Sequence, residues 1–61
     1  MMALRAMVRL DQVREAVALS DSTIYRRVKD GSFPKPRRVG SASLWFEDEV
    51  AAWQSALPVC Q

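Results

Sequence analysis

Between Ser22 and Phe46 the chain sets Arg26, Arg27, Lys29, Lys35, Arg37 and Arg38 against a single acid, Asp30. Cations at this density suit the binding of a polyanion. A guanidinium fork can clasp a phosphate, or bond guanine O6 and N7 together in a DNA major groove. The flanks are different. Residues 1–21 balance Arg5, Arg9 and Arg14 with Asp11, Glu15 and Asp21, and residues 47–61 carry Glu47, Asp48 and Glu49 with no base. The net charge of +2 therefore conceals a basic block between a neutral and an acidic one. Charge alone is a weak signal. A run such as Arg26-Arg27-Val28-Lys29 is by default a solvated helix face, and only the elements that carry it can say otherwise.

Other chemistries lack their residues. There is no histidine, and Cys60 is the sole cysteine, so neither an internal disulfide nor a Cys/His zinc site has its ligands. No Gly-rich phosphate loop occurs, and no nucleophile stands at motif spacing from a base. No enzymatic activity and no cofactor are expected. Glu47, Asp48 and Glu49 are consecutive and do not converge as metal ligands do; they fit the start of a helix, where the dipole favours anions. Sixty-one residues allow one domain, burying only about 60% of the unfolded chain's surface. No apolar run approaches the roughly 18 residues of a membrane span, and the start lacks a signal-peptide stretch, so a soluble cytoplasmic protein without a membrane partner is expected.

Stepping along the chain, residues 1–8 read as a flexible lead-in. A short first helix begins near Leu10, with Asp11 as its cap and Leu10, Val13 and Val17 as its apolar stripe, and ends near Ala18. Ser20 caps a second helix, whose inward face is Ile24 and Val28 and whose end is marked by Gly31. Helix, three-residue break and capped helix is the spacing of a helix-turn-helix. Pro34 and Pro36 then hold the chain extended. Arg37–Val39 and Ser43–Phe46 read as a β-hairpin turning at Gly40-Ser41-Ala42. A last helix starts near Glu47, has Val50, Trp53 and Leu57 inward, and stops at Pro58. Residues 58–61 are a tail in which Cys60 is an idle thiol. The fold class is mainly α with a small β-hairpin: three short helices around one core of Val13, Val17, Ile24, Val28, Phe33, Val39, Trp45, Val50 and Trp53, spanning residues 9–57.

On the second helix, Ser22 and Arg26 fall nearly opposite Ile24, with Lys29 close by, Thr23 and Tyr25 flanking, and Arg27 nearer the core edge. A helix-turn-helix enters the major groove with the N-terminal part of this helix, so Ser22, Thr23 and Arg26 are candidates for base contact. Tyr25, Arg27 and Lys29 suit phosphates, although Tyr25 fits a core-edge position equally well. The Ser20 end offers free N–H groups. Lys35, Arg37, Arg38, Ser41 and Ser43 would form a wing touching backbone or minor groove.

These segments resemble a known family. Ser20-Asp21-Ser22-Thr23-Ile24-Tyr25-Arg26 is similar to the "LSRSTIYR" segment of AlpA-type phage and prophage regulators. Gly31-Ser32-Phe33-Pro34-Lys35-Pro36 is similar to their "G-x-FP-x-P" run, and the stretch from Trp45 to Trp53 to their "W-x-x-x-E-V-x-x-W" close. The resemblance covers about residues 9–54. It implies a MerR-like winged helix-turn-helix related to excisionases, and a bacterial, nucleoid-associated DNA-binding regulator of prophage origin. Double-stranded DNA is the implied partner, with a recombinase or RNA polymerase component as a further one. The protein would be a monomer in solution or a cooperative assembly on DNA. The chain departs from the family at Asp21, usually basic, at Ala18, usually glycine, and at Phe46, usually polar. The alternative is a protein-interaction module, suggested by the acidic last helix, Phe46 and the apolar Leu57–Val59.

Overall fold

The computed structural model describes residues 3–60; expectations for Met1, Met2 and Gln61 lie outside the described residues. In chain order the elements are β1 (Met7–Arg9), α1 (Leu10–Val17), α2 (Asp21–Asp30), β2 (Arg37–Val39), β3 (Ala42–Phe46) and α3 (Glu47–Ser55). The three helices follow the sequence reading, and so does the core except at Val39. The β part is larger than a hairpin: an antiparallel sheet of order β1-β3-β2. Residues 7 and 8, expected in a flexible lead-in, are strand, with Val8 opposite Trp45 and Met7 opposite Phe46. Ala6 C=O also accepts from the Glu47 N–H at 2.8 Å. Three residues show no readable alternation, and this strand exists because β3 offers it a free edge.

Local chemistry explains the helix ends. Arg9, not Asp11, is the N-cap of α1, and its N–H donates to Gln12 Oε1 at 2.9 Å; Asp11 sits in the first turn. The α1 C-cap is Ala18, held left-handed at φ 58°, ψ 36°, which explains why glycine suits this position. Ser20 caps α2 by accepting from the Thr23 N–H. Gly31 closes it at φ 88°, while the Ser32 N–H returns to Arg27 C=O at 2.9 Å. Val39 pairs with Ala42 across a two-residue turn, with Gly40 at φ 61° in its first central position.

Val13, Ile24, Phe33, Trp45 and Val50 are buried, and Val8, Leu10, Val17, Leu19, Val28 and Trp53 pack against them. One expected core member, Val39, and one residue expected on the inward stripe of α3, Leu57, lie outside. Val39 is 57% exposed, because its register with Ala42 places it on the sheet face away from Trp45. Leu57 is 50% exposed, because α3 ends at Ser55 before the stripe reaches it. Tyr25, Trp45, Phe33 and Trp53 form a chain of rings, with successive centroids 6.3, 6.4 and 4.7 Å apart. The Trp45 and Trp53 indole N–H groups donate to Pro34 C=O at 2.8 Å and Ser32 C=O at 2.7 Å. Both tryptophans thus pin the α2–β2 connection, which sets the hairpin's position relative to α2.

Candidate nucleic-acid interface

The outward side of α2 is open. Ser22, Arg26, Arg27 and Lys29 are exposed, whereas Ile24 is fully buried and Val28 half-buried. Asp30, the acid of this stretch, is turned aside: its Oδ1 accepts from the Ser32 hydroxyl at 2.6 Å and the Ser32 N–H at 2.9 Å. Those bonds, with Arg27 and Arg26 adding charge attraction, hold its carboxyl below the ordinary carboxylate range. Tyr25 is 43% exposed and leans on Trp45, so it is both a core-edge residue and an accessible one. At the leading end of α2 the hydroxyls are mutually engaged. Ser20 Oγ lies 2.9 Å from Thr23 Oγ1 and 3.4 Å from Ser22 Oγ, and Thr23 is half-buried.

The hairpin separates two arginines that are adjacent in the chain. Arg38 pairs with Ser43, and Arg37 with Leu44. Side chains alternate along a strand, so Arg38 and Ser43 share the face of buried Trp45, against which Tyr25 of α2 also rests. Arg37 takes the opposite face. There its Nη2 lies 3.4 Å from Glu49 Oε2, its Nη1 donates to Lys35 C=O at 3.2 Å, and its guanidinium stands 5.3 Å from the Phe46 centroid. Strand alternation and the acidic start of α3 thus place Arg37 on the sheet face opposite Arg38. Ser41 is exposed at the turn, Lys35 is exposed on the approach, and Ser43 is half-buried.

Among the described residues, three of the nine cationic side chains are ion-paired: Arg5 with Asp48 at 2.8 Å, Arg14 with Asp21 at 2.7 Å, and Arg37 with Glu49. Among the described residues, Arg9, Arg26, Arg27, Lys29, Lys35 and Arg38 have no such partner. All but Arg9 belong to α2 and the connection and hairpin that follow it.

The model of the prophage CP4-57 regulatory protein family (AlpA) matches residues 6–57. The chain belongs to the AlpA family. A relative of this AlpA-family chain is the uncharacterized protein ORF88 of Enterobacteria phage P4, 35% identical over 49 residues, which are 79% of this chain and 56% of that protein. The chain thus spans little more than half the length of that relative. No solved structure matches it significantly. No helix among the described residues is long and apolar enough to cross a membrane.

Sequence reasoning missed two features of this AlpA-family chain. The Arg14–Asp21 pair joins α1 to α2 across the turn, and opposite charges seven residues apart on two helices give no periodic signal. Phe46 is bracketed by Arg37 and by Arg5, whose guanidinium lies 3.8 Å from the ring centroid. Its departure from a usually polar residue thus has a cation–π role.

Proposed function

We propose that this AlpA-family chain binds double-stranded DNA, with α2 in the major groove and Arg38 on the hairpin touching the adjacent backbone or minor groove. It acts as a non-catalytic regulator of transcription or an excisionase-like architectural factor, with a recombinase or RNA polymerase component as a further partner. One observation carries the reading: the unpaired cations Arg26, Arg27, Lys29, Lys35 and Arg38 cluster on α2 and the segment that Trp45 and Trp53 fasten beside it. In the contact scheme Arg26 reads a base, with Ser22 and Thr23 near the groove floor. Tyr25, Arg27, Lys29 and Lys35 hold phosphates, and Ser41 and Ser43 flank Arg38. Five neutralised phosphates, one for each of Arg26, Arg27, Lys29, Lys35 and Arg38 if Arg26 also offsets a phosphate charge from within the groove, correspond to a log affinity against log salt slope of about −4.5. Fluorescence anisotropy with a labelled duplex measures that slope, and a slope near zero removes the reading. The exposed Leu57 and Val59 favour a second reading, docking of a partner protein; capture of such a partner by a chain that retains no DNA on a shift gel would select it.

A further inference from the structure

Asp21 is the first residue of α2, at the end that a helix-turn-helix leads into the groove. Its Oδ1 accepts from Arg14 Nη1 at 2.7 Å, and Arg14 lies in α1, the helix that crosses the DNA backbone in this motif. The two other ion-paired arginines, Arg5 and Arg37, bracket Phe46 on the far face of the sheet. Arg14 is thus the one cation of the helix-turn-helix held by a carboxylate among the described residues. The leading end of α2 presents a self-neutralised pair and engaged hydroxyls, and the following turns present Arg26, Arg27 and Lys29.

We infer that Asp21, held by Arg14, is a specificity-determining residue: it keeps the leading end of α2 from gripping phosphate and holds down affinity for arbitrary DNA. The inference rests on the groove-binding reading above. Phosphate contacts supply sequence-independent affinity, whereas base edges supply discrimination. A carboxylate at the leading end subtracts from the first and leaves the second to Ser22, Thr23 and Arg26. The pair is asymmetric in its consequences. Removing Asp21 takes away a repulsion and frees Arg14 for phosphate; removing Arg14 leaves Asp21 bare against the backbone. An exposed ion pair adds little to stability, so neither change acts mainly through folding.

The test uses the full chain and a labelled 20-bp duplex of mixed sequence, between 50 and 200 mM KCl, on chains shown to be folded by circular dichroism. Asp21→Asn is expected to steepen the salt slope by about 0.9–1.8, one or two added phosphates, and to tighten Kd at 100 mM about tenfold. Arg14→Gln is expected to weaken binding several-fold, and Asp21→Asn with Arg14→Gln to fall between the two single variants. Asp21→Ser gives the same readout if the asparagine variant folds poorly. The inference is overturned if uncharged variants at Asp21 keep the parent slope and a Kd within twofold, or if the Arg14 and Asp21 changes move affinity in the same direction. Loss of all salt-dependent binding by the parent chain is a different result, which removes the groove-binding reading itself.

Discussion

On the far face of the sheet, Arg5 and Arg37 enclose Phe46 and close onto Asp48 and Glu49; on the Trp45 face, Arg38 and the cations of α2 meet no carboxylate within ion-pair distance among the described residues. Arg37 and Arg38 are sequence neighbours with opposite fates. A strand turns successive side chains to opposite faces, and only one face looks toward the acidic first turn of α3. A basic block counted along the chain therefore overstates what a ligand meets. The far-face arginines tie residues before β1 to α3 and the hairpin root. Arg26, Arg27, Lys29, Lys35 and Arg38 make no ion pair among the described residues.

Trp45 is the buried side chain that joins the Arg38 face of the sheet to α2 and to the connection that follows it, so its removal has the largest effect. Trp45→Ala should cost about 3–5 kcal/mol, comparable to the whole stability of a core this small, and leave the chain largely unfolded at 25 °C by circular dichroism. A cooperative melt near the parent temperature would mean that the sheet and α2 are held together in some other way.

Next come three arginines, two from the α2 side and one from the far face. Arg26→Ala should weaken binding to a specific site by about 1–3 kcal/mol and leave the melting temperature unchanged. Arg38→Ala should flatten the salt slope by about 0.9. Arg37→Ala should do the reverse, lowering the melting temperature slightly and leaving DNA affinity within about twofold, because an exposed pair and a cation–π contact each contribute about 0.5–1 kcal/mol. If Arg37→Ala and Arg38→Ala impair binding equally, the separation by strand alternation has no functional meaning.

What could be read from residue order was what local chemistry decides. The Ser20 cap, the Gly31 stop and the Ile24–Val28 stripe lie within one helix, and they placed α2 and its outward residues correctly. Features made by distant partners were out of reach. β1 is a strand because β3, far along the chain, pairs with it; Val39 is exposed because of a register that the turn sets; Arg37 is paired with Glu49 on another element. The position of Ala18 was legible as a departure from a family glycine, but its left-handed backbone needed coordinates.

That backbone supplies a smaller prediction, on the α2 side. Ala18→Gly should raise the urea midpoint, by about 1 kcal/mol of stability, since a left-handed residue without Cβ avoids the steric penalty. DNA affinity should not change when both chains are fully folded. A lower midpoint would mean that the turn between α1 and α2 is not strained at this residue.

The smallest effect concerns acid, and it tests the far face alone. The Arg5 hydrogen bond, followed by its charge, holds the Asp48 carboxyl below the ordinary value, against a desolvation that raises it. A carboxyl lowered in the folded state stabilises above its unfolded value of about 3.9, and that contribution fades as pH falls through the lower folded value. Asp30, lowered mainly by the Ser32 hydroxyl, follows the same sign on the α2 side. The parent chain should therefore lose melting temperature on going from pH 5 to pH 2. Arg5→Met, already less stable at pH 7, should lose less over the same range because Asp48 has lost its main partner, while Ser32→Ala should independently reduce the Asp30 share, leaving only what the backbone N–H at residue 32 and the nearby arginines supply. Equal acid losses in the parent and Arg5→Met chains would show that the Arg5–Asp48 clasp is not maintained in solution.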